Sequence, residues 1–173
     1  MRFARFRALL VVSVLCIGAG ISVWVAVESD TQADGQRSQC DDDAILIETD
    51  PEKVPATTEI EVVVLNATDR AGLAETVKDQ LEDRGFSVLE TDDSDAEVPD
   101  SAQVTFGAEQ YLAGVHTKAY FYRGEMDFQA DWDKPITIVV GDAFDQVKRT
   151  DEALRTFGQA SSIQEPEGTC SID

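Results

Sequence analysis

"EIEVVVLNATDRAGLAETVKDQLEDRGFSVLE", Glu59 to Glu90, holds the transition that decides the fold. Ile60, Val62 and Val64 alternate early and then give way to a continuous apolar run ending at Leu65, the pattern of a strand in a sheet interior. After the polar turn, Thr68 or Asp69 is placed to cap a helix in which Leu73, Val77 and Leu81 recur at i, i+4 and i+8 as one apolar stripe. "KDQLEDR" supplies its wet side, Gly85 stops it, and "FSVLE", Phe86 to Glu90, resumes as strand. Connections this short predict a strand–helix–strand unit with a right-handed crossover.

A strand that turns through a glycine into a helix also resembles the start of a phosphate loop. Such a cradle needs several glycines, so that successive backbone N–H groups approach the anion, and often a lysine. "NATDRAG" has one glycine and no lysine, and it puts Asp69 where the anion would sit, which excludes a nucleotide. Gly72 reads instead as the residue that lets the helix lie close to a strand. Asn66-Ala67-Thr68 matches a glycosylation acceptor, which matters only in a host that uses it.

The pattern continues in kind. "TDDSDAEVPDS" reads as a polar loop, "AQVTF", Ala102 to Phe106, as a third strand, and Ala108 to Tyr122 as a helix, from Leu112, Val115, Ala119 and Tyr122 at helical spacing. Gly124 ends that helix, "EMDFQA" makes a short strand, and "PITIVVG", Pro135 to Gly141, suits the sheet interior with proline at its start. The order βαββαββ predicts an α/β (α+β) two-layer sandwich, with two helices on one face of a mixed sheet.

Outside this region the chain changes character. Ala8 to Val27 is a run of 20 uncharged residues preceded by Arg2, Arg5 and Arg7, long enough at ~1.5 Å per residue to span a bilayer. It reads as a signal anchor with the N-terminus inside and the bulk of the chain extracytoplasmic; the alternative is a signal cleaved near Ala26. The expected segments are a cytoplasmic end at 1–7, the span at 8–27, an acidic linker at 28–58, the folded domain at 59–149 and an extension at 150–173. Within the linker, "AILI", Ala44 to Ile47, is an apolar patch able to add an edge strand.

Past residue 27 there are 34 acidic against 11 basic residues, a formal charge of −23. That field repels phosphate backbones and anionic headgroups, which argues against nucleic acid; it is compatible with cationic partners, and equally with acidity that keeps an exported domain soluble or suits a salty habitat. Cys16 lies in the apolar run, so Cys40 and Cys170 remain to pair outside the cytoplasm.

No catalytic, cofactor or metal site is legible. Abundant carboxylates always permit a pair at glycosidase spacing, but nothing marks one as buried. His116, the sole histidine, has no evident nucleophile beside it and reads as a surface or cap residue. The acid runs at 41–43 and 92–95 lack the loop of a calcium hand. The aromatic group Tyr111, Tyr120, Phe121, Tyr122, Phe128 and Trp132 exceeds what one helix face can bury, so Tyr111, Tyr120, Tyr122 and Trp132 are candidates for a partner surface.

"VVVLNATDRAGLAETVKDQLEDRGFSV", Val62 to Val88, resembles the LytR C-terminal domain family, and "VTFGAEQYLAG" with "ITIVVGDAF" is similar to that family's second half. One apolar N-terminal segment and an isolated domain resemble in particular its single-span actinobacterial cell-envelope integrity proteins. The resemblance implies a non-catalytic, membrane-anchored extracytoplasmic domain that supports the envelope by binding wall glycan or an envelope protein. The alternatives are a cleaved, secreted binding protein and a cell-wall polymer hydrolase using a carboxylate pair.

Overall fold

The structure, a computed structural model, describes residues 40, 41, 43–159 and 165–172. The packed unit is Asp42–Asp173, and the elements below all belong to it. Strands β2 (Glu61–Asn66), β3 (Ser87–Asp93), β4 (Ala102–Phe106), β5 (Gly124–Phe128) and β6 (Ile136–Val140) form a mixed sheet in the order β3-β2-β6-β4-β5, in which only β4 against β6 is antiparallel. Helices α1 (Leu73–Glu82), α2 (Tyr111–Lys118) and α3 (Thr150–Gln159) complete an α+β fold. A second, two-stranded sheet pairs β1 (Ile45–Ile47) with β7 (Thr169–Ser171) in parallel.

Register explains which residues become core. Val62, Val64 and Asn66 on β2 sit beside Ile136, Ile138 and Val140 on β6, and Ile138 and Val140 sit beside Val104 and Ala102 on β4. All are buried, and the apolar ones join Leu73, Val77 and Leu81 of α1, Tyr111 of α2 and Ala153 of α3 in one cluster. The helices therefore pack on this side of the sheet. Burying each Val, Leu or Ile contributes about 1.5–3 kcal/mol, so this face carries most of the stability. The other face, with Val63, Leu65 and Val139 at its centre, gives nothing to that cluster.

Two glycines are required where they stand. Gly85 lies just past α1 at φ 90°, where Phe86 N–H bonds back to Leu81 C=O at 3.1 Å and closes the helix. Gly114 is a close approach: a Cβ there would fall 2.1 Å from the Phe106 ring, so its absence lets α2 lie on β4.

Several sequence expectations need correction. The expected transmembrane helix at 8–27 lies outside the described residues, and among the described residues no helix is long and apolar enough to cross a membrane; the architecture is stated without a preceding span. Helix α1 takes Gly72, at φ 74°, as its N-cap, because Thr68 Oγ1 is already occupied by the Arg70 N–H. The second helix is shorter than Ala108 to Tyr122: Ala108–Gln110 is a 3-10 turn and α2 ends at Lys118, so Phe121 is free to bridge Val147. Strand β3 runs on to Asp93, into the stretch read as loop, because β2 pairs with it along its whole length across a bulge at Val62/Val63.

Candidate functional site

The strand-to-helix corner is built around Asn66, buried at the end of β2. Its Nδ2 donates to Arg70 O at 3.0 Å and to Asp93 Oδ1 at 3.3 Å, and its Oδ1 accepts from Thr68 N–H at 3.1 Å and Thr68 Oγ1 at 2.8 Å. With both ends of the amide satisfied, the turn is held internally. Arg70 then reaches across to donate to Phe144 O at 2.9 Å and Gly141 O at 3.3 Å, and its guanidinium lies 5.9 Å from the Phe144 ring centroid. The motif is a structural clasp between the β2 corner and the loop after β6. Arg84 does the same at the other end of α1, donating to Lys148 O at 2.5 Å and Val147 O at 2.8 Å. Neither arginine stands out in the sequence, where a lone cation in a polar turn carries no signal.

Two clefts open at the ends of the sheet. One of about 240 Å³ lies at the carboxyl ends of β2 and β3, the position where α/β sheets take ligands, lined by Asn66, Gly72, Glu75, Thr91, Asp92 and Asp93. Its three carboxylates repel phosphate, which agrees with excluding the nucleotide loop. Among the described residues no group of three or more His, Cys, Asp or Glu is placed to hold a metal ion. The other cleft, about 300 Å³, is lined by Glu59, Ile60, Gln110, Asp133, Lys134 and Pro135, with no nucleophile among its lining residues.

The four aromatic candidates separate. Tyr111 and Tyr120 are 1% and 0% exposed and belong to the core, which corrects their assignment to a partner surface. Tyr111 packs edge-on to Phe106 and Phe128, Tyr120 edge-on to Phe86, and burial pushes both phenols above their ordinary pKa. Tyr122, 37% exposed, donates to Glu152 Oε2 at 2.9 Å with Lys148 Nζ 5.0 Å over its ring. Trp132 lies in the β5–β6 loop, donating to Pro135 O at 3.2 Å beneath Lys134. The contacts of Tyr122 and Trp132 share no residue, so the aromatic group does not form one patch.

His116 is buried, 3% exposed, where a surface or cap residue was expected. Its ring packs edge-on between Tyr120 and Phe157, neither ring nitrogen has a hydrogen-bond partner, and burial holds its pKa below the ordinary value. Lys148, also buried, donates to Ala119 O at 3.1 Å and so ties the end of α2 to the segment entering α3. Cys40 and Cys170 are both disulfide-bonded.

Residues 59–144 match the family model described as LytR cell envelope-related transcriptional attenuator, LytR_C. Among solved structures, the soluble domain of a conserved hypothetical secreted protein from Mycobacterium marinum is similar at 25% identity and a TM-score of 0.52, covering 71% of this chain and 84% of that one. No curated protein matches. The LytR_C family is a non-catalytic, cell-envelope-associated domain, and the chain is not an enzyme. The likeness to a secreted protein's soluble domain, with no spanning helix among the described residues, overturns the expected single-span anchor, the N-in topology and attachment to the membrane through residues 8–27. The secreted alternative fits these findings better.

Proposed function

From the premise that residues 59–144 are a domain of the LytR_C family, we propose that the chain is a secreted, non-catalytic binding domain that acts in the cell envelope through contact with an envelope partner. The observation that carries this reading is the family match, which spans β2 to the loop after β6 and includes the Asn66–Arg70 clasp. Two physical facts support it. A disulfide persists in an oxidising compartment outside the cytoplasm, and both Cys40 and Cys170 are bonded. The net charge of −20 keeps nucleic acid and anionic lipid away and leaves cationic groups as the natural counterpart.

Fractionation of cells making the full chain, followed by chemical cross-linking, tests the reading. The expected result is oxidised protein in the wall or culture-fluid fraction, cross-linked to an envelope component. Reduced protein confined to the cytoplasm, or exported protein that forms no adduct, overturns it.

A further inference from the structure

We propose that α3 is an acid-released latch: a proton taken up by His116 frees the helix from α2 while the sheet beneath stays folded. This goes beyond the binding reading above and does not depend on it. His116 and Tyr120 stand four residues apart, so they share one side of the end of α2. The Phe157 ring of α3 lies 5.4 Å from the imidazole and the Tyr120 ring 5.5 Å, both edge-on. His116 is 3% exposed, and among the described residues neither Nδ1 nor Nε2 has a hydrogen-bond partner. An imidazolium carries a full charge and two N–H donors, and the closed site supplies no acceptor for either.

The titratable groups on the surrounding elements do not relieve this. They are Lys118 and Tyr120 at the end of α2, Lys148 in the segment entering α3, Glu152 on α3 and Arg84 at the end of α1. Lys148 Nζ donates to Ala119 O at 3.1 Å and Thr156 Oγ1 at 3.4 Å, and Glu152 accepts from the Tyr122 hydroxyl at 2.9 Å. Arg84 donates to backbone carbonyls. Arg149 and Arg155 both pair with Asp151. None of these groups bonds the imidazole.

A proton therefore enters only if one of the elements covering the ring moves, and α3 is the one that can. Helix α2 is buried at Tyr111, Leu112, Ala113, Gly114 and Thr117, and its Gly114 lies against Phe106. On α3, Ala153 is buried, Phe157 is half-buried and Leu154 is 51% exposed. Elements with few buried apolar contacts open locally at less cost than the core. Both flanks of α3 are fixed. Before it, Lys148 N–H donates to Tyr120 O at 2.8 Å and Arg84 holds the Val147 and Lys148 carbonyls; after it, β7 pairs with β1. The helix can lift between two anchored points, baring His116 and Tyr120.

The size of the effect follows from proton linkage. In the open form the imidazole regains its ordinary pKa of 6.5, whereas in the closed form burial holds it lower. The closed form binds fewer protons, so its advantage is complete above 6.5 and is lost as pH falls below it. Excluding one proton from the closed form multiplies the opening constant about tenfold between about pH 7.5 and about pH 5.5. Carboxylates, with ordinary pKa values near 4, stay ionised across that window, and His116 is the sole histidine, so one group accounts for the change.

Amide hydrogen exchange on the full chain, corrected for the intrinsic effect of pH, tests the latch. Between about pH 7.5 and about pH 5.5, protection should fall about tenfold at Phe157 and at Ala153, whose N–H bonds Arg149 O at 2.9 Å. Val64 and Ile138 in the sheet should change by less than about twofold. His116→Leu and His116→Gln, which take up no proton, should leave α3 protection level across the range, and thermal unfolding verifies that each variant folds. In the parent, the single imidazole resonance should titrate together with the α3 amides. Equal loss of protection in sheet and helix overturns the proposal, as does the same tenfold loss in a folded His116 variant. So does an imidazole that titrates while α3 protection stays constant.

Discussion

Replacing Gly114 by alanine sets two effects against each other. In a helix interior, alanine is favoured over glycine by about 1 kcal/mol, because the glycine backbone loses more freedom on folding. Here the added Cβ would stand 2.1, 2.2 and 2.5 Å from three atoms of the Phe106 ring. Ordinary contact begins near 3.4 Å, so ring or helix must yield by more than 1 Å. Phe106 is fully buried and held edge-on by Tyr111 at 5.9 Å and Phe128 at 6.3 Å, so it cannot swing aside, and α2 must lift from β4. Overpacking of this kind costs about 1–3 kcal/mol, and so large a displacement belongs at the upper end. The net expectation is a destabilisation of about 2 kcal/mol, read as a lower urea midpoint at unchanged slope. A Cβ added at Gly158 in α3 would meet nothing within 4 Å, so alanine there should stabilise by up to about 1 kcal/mol. A Gly114→Ala variant as stable as the parent, or more so, would refute the close approach.

Further outcomes follow from the clasp, the buried histidine and the disulfide. Asn66→Ala removes four hydrogen bonds at a buried corner and should cost about 2–3 kcal/mol in denaturant unfolding; Asn66→Asp, which turns a carboxylate toward Asp93 and Arg70 O, should cost more. Because burial lowers the His116 pKa, the unfolded chain binds more protons, so this residue's contribution is complete above its ordinary pKa of 6.5 and is lost as pH falls below it. The stability difference between the parent and His116→Leu, measured from about pH 7.5 to about pH 5, should therefore shift in the variant's favour on acidification; a constant difference would count against a buried neutral imidazole. Reducing the Cys40 and Cys170 disulfide should cost about 2–4 kcal/mol and speed amide exchange at Ile45 and Ile172, whose N–H groups bond Gly168 and Ile47 carbonyls. Unchanged exchange after reduction would contradict that link.

How much of the fold is legible in the sequence depends on the range of the interaction. The Leu73, Val77 and Leu81 stripe and the apolar runs of β2 and β6 are local patterns, and they locate the strands and α1 directly. Helix α2 reads too long because Ala119 and Tyr122 keep helical spacing, whereas Phe121 is drawn to Val147 by a partner distant in sequence. The pairing of β1 with β7 likewise joins segments more than 120 residues apart, so "AILI" alone can only suggest an edge strand. Aromatic count misleads, since Tyr111 and Tyr120 fill the space between α2 and its neighbours and leave no patch.

Chemical cross-linking in growing cells that make the full chain, followed by fractionation and intact-mass measurement, bears most directly on the envelope reading. Oxidised protein in the wall or culture-fluid fraction, in adducts with an envelope component, is the predicted result. Reduced protein confined to the cytoplasm, or exported protein that forms no adduct, would contradict it.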